Sequence, residues 1–305
     1  MRKPEFAERF GTARLDPPPL TCGRIQFIEG HNPAGPAFRS PFQIAPLALP
    51  KGIDACGRFV REAVASMPAK HLLIYVHGYR NSLDSAIRTA VAWANGLKFN
   101  GTILVWGWPS EDAVNRYARD EDGVRWSAPN LAEFLSRILS ENESLRVSLV
   151  SHSMGSRIAL AVLETIFKER SGQRVDTVIF AAADEDQAVF ISSWRRALQA
   201  LANQMSRHLS TLYASSNDWA LEFSEKRHEG PRAGSGGVSR ILTLNQMESI
   251  DASALTADIL GHSYFFEHSK AVEDAAKILT DRTNADGRGL ERQMLGERQF
   301  WILKE

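Results

Sequence analysis

The segment that most restricts this chain is Val147-Ser148-Leu149-Val150-Ser151-His152-Ser153-Met154-Gly155-Ser156, followed at once by Arg157-Ile158-Ala159-Leu160-Ala161. It reads as an apolar strand, a tight turn with a serine at its tip, and a helix. A nucleophile elbow has this layout, because the strained turn lifts a serine hydroxyl above a sheet while small residues two before and two after it let strand and helix approach closely. Those positions are Ser151 and Gly155. Glycine is usual at the first, so Ser151 is a departure, though a small one. The helix points its N-terminus at Ser153, where its dipole and unpaired N–H groups favour a developing anion. A serine-rich strand-to-helix connection without chemistry is the alternative, and the flanking strand and helix weigh against it.

A buried strand needs neighbours, and the chain supplies them. Leu72-Leu73-Ile74-Tyr75-Val76, Ile103-Leu104-Val105-Trp106, Val178-Ile179-Phe180-Ala181, Leu209 to Ala214 and Ile241-Leu242-Thr243-Leu244 are continuous apolar runs of strand length. Such runs belong to strands buried on both faces. Between them, Ser82 to Leu97, Leu131 to Leu139 and Ser156 to Phe167 carry apolar residues at helical spacing, with Asn81 or Ser82 as N-cap of the first. Alternating strands and helices predict an α/β fold, a parallel sheet with helices on both faces. In such sheets active sites lie at the carboxyl ends of the strands. Residues 1–70, rich in turn formers, hold short apolar pieces at Ile25–Ile28 and Phe42–Ile44. They read as leading strands and loops packed on a core spanning 71–305, a single domain overall. The charged stretch from Pro109 to Pro129 reads as an exposed insertion at the entrance, and Gly230 to Gly237 as a mobile loop.

Composition excludes several classes. Lys plus Arg and Asp plus Glu both number 36, so no net charge favours nucleic acid or an anionic membrane. No apolar run reaches the roughly 20 residues that span a bilayer, and none near the N-terminus reads as a signal peptide. The cytoplasm is the default location. Cys22 and Cys56 read as two thiols without metal or redox spacing. No feature sets an oligomeric state.

A serine nucleophile needs a base, and the base an orienting acid. In this kind of sheet the chain order is serine, acid, histidine. Of the histidines after Ser153, His208 precedes a strand, His228 sits in a charged stretch and His268 lies inside a helix. His262, in Leu260-Gly261-His262-Ser263-Tyr264, follows the last strand-like run and is the candidate base. Asp218 stands just past the run ending at Ala214 and is the favoured acid, although an N-cap role fits it equally. Asp184, with Glu185 and Asp186 beside it, is the rival one strand earlier. The loop after Ile74-Tyr75-Val76 begins His77-Gly78-Tyr79-Arg80, and with the residue after the nucleophile it points to an oxyanion hole made by the N–H groups of Tyr79 and Met154. His77 reads more readily as a hydrogen-bonded loop histidine than as a catalytic group. His77, Gly78, Arg80, Trp108 and Trp194 are candidate pocket residues. Trp106 and Trp126 share the position near strand ends, where packing is an equal explanation. Arg80 and Arg157 are close enough to hold a substrate carboxylate.

Taken together, Val76-His77-Gly78-Tyr79, Trp106-Gly107-Trp108-Pro109-Ser110, Ser151-His152-Ser153-Met154-Gly155, Tyr213-Ala214-Ser215-Ser216-Asn217-Asp218 and Leu260-Gly261-His262-Ser263-Tyr264 resemble an uncharacterised bacterial α/β-hydrolase family of esterase/lipase-like proteins. The resemblance covers about residues 70 to 282. It implies an eight-stranded, mostly parallel sheet with Ser153, Asp218 and His262 as triad, and it supplies no substrate. The expected chemistry is hydrolysis of a small-molecule ester through an acyl-enzyme, with no metal or organic cofactor. The rivals are acyl transfer or peptidase chemistry on the same triad, and a non-catalytic binding protein on a hydrolase fold. A dehalogenase would need a carboxylate where Ser153 stands.

Overall fold

Burial on both faces turns the apolar runs into strands. The computed structural model describes residues 53–67, 69–110, 116–201, 208–255 and 260–305. In it β1 (His71–Val76), β3 (Arg146–His152), β4 (Val175–Ala181) and β5 (Leu209–Ala214) are buried at nearly every position. β2 (Thr102–Trp106) is largely half-buried, as suits the end of a sheet. With β6 (Glu248–Asp251), β7 (Glu291–Leu295) and β8 (Arg298–Ile302) they form an eight-stranded sheet in the order β2-β1-β3-β4-β5-β6-β8-β7. Every neighbouring pair is parallel except the β7–β8 hairpin.

Eight helices accompany the strands among the described residues: α1 (Ile53–Ser66), α2 (Leu83–Leu97), α3 (Tyr117–Ser140), α4 (Gly155–Ile166), α5 (Gln187–Leu201), α6 (Trp219–His228), α7 (Tyr264–Glu267) and α8 (Ser269–Leu279). Helices α3, α4 and α5 pack in a row, while α2, α7 and α8 form a second group. The second group covers the sheet face that carries Leu73, Tyr75, Val150, Ile179 and Tyr213. Right-handed crossovers explain the two layers, since the chain runs from β1 out to β2 and then returns past β1 to β3. That reversal makes the carboxyl ends of β1 and β3 the switch point, where a crevice opens.

Two phenylalanines anchor the loop that carries His262. Phe265 and Phe266 are buried, and their rings meet Trp93 of α2 at 5.3 Å each. Phe265 also touches Tyr213 at 4.8 Å, and Phe266 touches Tyr75 at 5.2 Å. Burial of each ring contributes about 2–3 kcal/mol, so the backbone just before them is held to the core.

Several expectations change. Among the described residues the antiparallel strand of the sheet is β7, near the carboxyl end. Ile25–Ile28 and Phe42–Ile44 lie outside the described residues, and 53–66 is helical. By its internal contacts the chain divides into two units, Met1–Ser66 and Met67–Glu305, and the expectation of a single domain stands as it was. Cys56 is disulfide-bonded, not a thiol. No helix among the described residues is long and apolar enough to cross a membrane. Ile241–Leu244 is not a strand, and β5 pairs with Glu248–Asp251 instead. The charged stretch before Pro129 is no exposed insertion where it is described. Helix α3 begins at Tyr117, and Tyr117, Asp120, Gly123, Val124, Ser127 and Ala128 form a buried face. Asp120 accepts a 2.5 Å hydrogen bond from Ser110 Oγ.

The glycine-rich segment at 230–237 is threaded between strand ends, not mobile. Gln187 N–H donates to Pro231 O, Ala233 N–H to Glu185 O, Gly234 N–H to Ala183 O, and Ser215 N–H to Gly234 O, all at 2.9–3.0 Å. A Cβ on Gly234 would lie 2.3 Å from Ala183 N, and one on Gly236 would lie 2.7 Å from Ser215 N. Glycine is required there for close backbone approach. Gly234→Ala is therefore expected to cost at least about 2 kcal/mol, because backbone atoms cannot retreat as a flexible side chain would. Gly289→Ala, with φ +82 and open space around it, should cost only about 1 kcal/mol of left-handed strain. Urea denaturation of both variants beside the parent chain checks the difference.

Candidate active site

Ser153 has φ +51. A side-chain residue in this region costs about 1 kcal/mol and stays there only when its surroundings hold it. They do so through the backbone. Ser153 N–H donates to Ala181 O at 3.0 Å, and its carbonyl accepts from Asp184 N–H at 3.1 Å and Ser156 N–H at 3.0 Å. Close packing adds to this. A Cβ on Gly155 would stand 2.4 Å from His77 O, and one on Gly78 would stand 2.7 Å from Ser153 Cβ. The Ser151 departure is absorbed by polar contacts, its buried Oγ lying 3.2 Å from Ser156 Oγ and 3.4 Å from Ile179 O.

His262 meets Asp218. Its Nδ1 lies 2.7 Å from Asp218 Oδ2, and the carboxylate is fully buried. A carboxylate can only accept, so the ring proton is on Nδ1 and Nε2 carries the lone pair. The other carboxylate oxygen, Oδ1, accepts from Leu221 N–H at 3.0 Å and caps α6. Both readings of Asp218 hold, one on each oxygen. The loop reaches it because Gly261, at φ +63, has no Cβ; one would stand 2.0 Å from Asn217 O. Trp219 N–H donates to Leu260 O at 2.9 Å and closes the same contact.

Asp184 is engaged elsewhere. Tyr117 Oη donates to its Oδ2, Ser224 Oγ donates to its Oδ1 at 2.6 Å, and Arg157 and Arg232 each approach to 3.8 Å. Asp186 caps α5 through Ala188 N–H at 2.8 Å. Arg157 uses all its donor nitrogens within the fold: Nε to Asp184 O at 2.7 Å, one terminal nitrogen to Glu121 at 2.7 Å, the other to Tyr117 Oη at 3.1 Å. It is therefore not placed to take a substrate carboxylate. Glu185, 3.9 Å from Arg157, has its pKa raised by burial.

His77 is fully buried and holds the loop after β1. Its Nδ1 donates to Gly78 O at 3.0 Å, and its Nε2 accepts from Trp108 N–H at 3.3 Å. Trp108 stacks on its ring at 5.1 Å and donates from Nε1 to His77 O at 2.7 Å. Burial lowers the His77 pKa to about 4, so the ring stays neutral. Tyr79, half-buried, sets its ring 5.1 Å from that of Tyr117. Met154 is buried at the amino end of α4, where first-turn N–H groups have no helical partner. Arg80 is exposed at φ +56. Trp194 is a buried residue of α5, packed on Phe180 and on His208 before β5. Trp106 donates to Ser127 Oγ at 2.9 Å, and Trp126 is exposed. Among the described residues no cluster of His, Cys, Asp or Glu is gathered to hold a metal ion.

His152 is the residue that sequence reasoning passed over. Its place directly between the strand end and the serine was the available signal. Its Nε2 lies 3.0 Å from His262 O and its ring 4.5 Å from that of His262. Burial, with the nearby His262, lowers its pKa to about 3.

A family model described as an alpha/beta hydrolase of unknown function (DUF900) matches residues 54–282, most of the chain. The chain belongs to this family. An uncharacterised protein of Nostoc sp. is 24% identical to this hydrolase over 152 residues, 41% of this chain and 40% of that protein. The chain thus spans about two fifths of the length of the curated relative it matches. Among solved structures, an uncharacterised protein from Bacillus cereus aligns over 75% of this chain and 69% of its own, with 14% identity and a TM-score of 0.42. A lipase-esterase related protein from Clostridium acetobutylicum aligns over 70% of this chain and 95% of its own, with 12% identity and a TM-score of 0.37.

Four of the described histidines of this hydrolase are held neutral, three of them buried and His208 half-buried. The pKa is lowered by burial to about 4 in His71, His77 and His208, and to about 3 in His152. The unfolded chain takes up these protons near pH 6.5, the folded chain only near 3–4. Stability from these groups is therefore complete above the unfolded value and is lost as the pH falls toward the folded values. At about pH 5 linkage gives a loss of up to roughly 2 kcal/mol per histidine. Urea midpoints should drop markedly between neutral pH and pH ~5, and replacing His208 by Gln should shrink that drop.

Proposed function

We propose that this α/β hydrolase is a serine esterase in which Ser153 is the nucleophile, His262 the general base and Asp218 the orienting acid. The observation that carries the reading is the buried Asp218–His262 pair at 2.7 Å, on a loop whose backbone is bonded to the residue before the strained Ser153. Sequence order, serine then acid then histidine, agrees with it.

The chemistry follows from the tautomer. With the proton of His262 held on Nδ1 by Asp218, Nε2 accepts the proton of Ser153 Oγ as that oxygen bonds to the substrate carbonyl carbon. The carbonyl oxygen becomes an oxyanion, and the N–H groups of Tyr79 and Met154 are its proposed donors. As the carbon–oxygen bond to the alcohol breaks, His262 returns the proton to the leaving alcohol. Water then adds to the acyl-enzyme by the same route and releases the acid. Asp218 stays ionised and stabilises the imidazolium. The proposed substrate is an ester of a small or medium carboxylic acid. Gly78 lets the loop after β1 approach Ser153, since a Cβ there would stand 2.7 Å from Ser153 Cβ.

A fluorophosphonate probe should label the wild-type chain and leave Ser153→Ala unlabelled. Hydrolysis of short and long p-nitrophenyl esters should be lost in the same variant, the wild-type chain-length profile measuring the acyl pocket. Well-folded wild-type protein that neither labels nor turns over any ester would overturn the proposal. Asp218→Asn should lower kcat by about three orders of magnitude or more, because an amide can hold the imidazole in the wrong tautomer. Its α6 cap is kept, since the amide oxygen still accepts from Leu221 N–H. Unchanged thermal stability with lost turnover is the expected pair of results.

A further inference from the structure

We infer that His152 is a positioning residue for the proposed serine-hydrolase reaction, its side-chain N–H holding the carbonyl of the proposed base, His262. The inference rests on that functional reading for its purpose, but the contact itself is independent of it.

Three observations converge on His152. A carbonyl can only accept, so the 3.0 Å contact between His152 Nε2 and His262 O requires the proton on Nε2. Nδ1 is then bare, and it faces the loop after β1, only 3.0 Å from where a Cβ on Gly78 would stand. The ring is also enclosed by apolar and aromatic contacts, with His262 at 4.5 Å and Phe266 edge-on at 5.3 Å. One side chain therefore touches the His262 loop and the loop of Gly78 and Tyr79, and is bonded in sequence to Ser153.

Asp218 holds the ring through Nδ1, Gly261 allows the turn before it, and Phe265 and Phe266 hold the backbone after it to the core. The bond from His152 adds a direct tie between the peptide of His262 and the end of β3, whose last residue is His152. A rigid strand end thus becomes the reference point for the base as well as for the nucleophile. The neutrality of His152 fits this use, since a second proton would place a charge beside the imidazolium formed at His262.

The test compares His152→Phe, which keeps a flat ring and loses the donor, with His152→Gln, which keeps an N–H donor; His152→Met serves as the donor-free variant should the Phe variant not fold. The first readout is the downfield NMR signal of the His262 Nδ1 proton and its exchange with solvent. Exchange should quicken in the donor-free variant and stay near wild type in His152→Gln. The second is the rate of fluorophosphonate labelling and the split between kcat and KM. The donor-free variant should label at least about tenfold more slowly, with kcat lowered and KM unchanged, since small misplacements of a reacting group have effects of this size. His152→Gln should recover most of that loss. Equal exchange and equal labelling in wild type and donor-free variant would overturn the inference, as would a Gln variant no better than the donor-free one. Failure of the wild-type chain to label would sink the esterase reading alone, and the NMR comparison would still decide whether His152 holds the His262 loop.

Discussion

Backbone crowding between the ends of β1 and β3 is the constraint on which the rest of this structure depends. A Cβ on Gly155 would fall 2.4 Å from His77 O, and one on Gly78 would fall 2.7 Å from Ser153 Cβ. Two glycines let the loop after β1, the serine turn and the amino end of α4 occupy one small volume. The serine in turn accepts φ +51, a strain that Ala181 and Asp184 hold through backbone hydrogen bonds from the neighbouring strand. These bonds tie the proposed nucleophile to β4, so its position depends on the registration of the central sheet.

The polar residues around that point divide into two groups by what they can still do. Asp184, Arg157, Tyr117, Glu121 and Ser224 are satisfied by one another, and they join α3, α4 and α6 beside the serine. Burial and the neighbouring carboxylates make such a cluster costly to break and give it little capacity to bind anything else. Asp218 and His262 are arranged otherwise. One carboxylate oxygen is used by a helix N-terminus and the other by the imidazole, which leaves the lone pair of Nε2 directed away from the carboxylate. The helix dipole of α6 adds to the stabilisation of the negative charge on Asp218. The same residue is thus a structural cap and the proposed acid.

Much of this was legible in the chain because its signals are local. The strand–serine–helix segment is contiguous, and its glycine and serine spacing expresses a steric need within a few residues. The buried strands are written as apolar runs, and the family match over residues 54–282 agrees with the fold they imply. The misreadings have a common cause. Glycine serves flexibility and close approach with the same letter, so 230–237 read as mobile until Gly234 was seen against Ala183. Charges at Asp120 and Glu121 read as exposure, yet Tyr117, Val124 and Ala128 recur at the spacing of a buried helical face. The strand after β5 was sought in the apolar Ile241–Leu244, whereas pairing selected the short polar Glu248–Asp251.

What the amino-acid sequence determined by itself was therefore the central strands and helices around the serine and the order of the chemically able residues, since both depend on neighbours within a turn or a strand. Which carboxylate meets His262 was decided only by the tertiary structure, which buries Asp184 among Tyr117, Ser224 and two arginines and brings Asp218 to the imidazole. It also removed Trp194 to the core and Arg157 to internal pairing, and it brought His152 to the carbonyl of His262. The physical reason is distance along the chain. His152 and His262 are 110 positions apart, and no local propensity can specify a hydrogen bond that exists only once β3 and the loop after β6 have been packed together by the sheet and by Phe265 and Phe266.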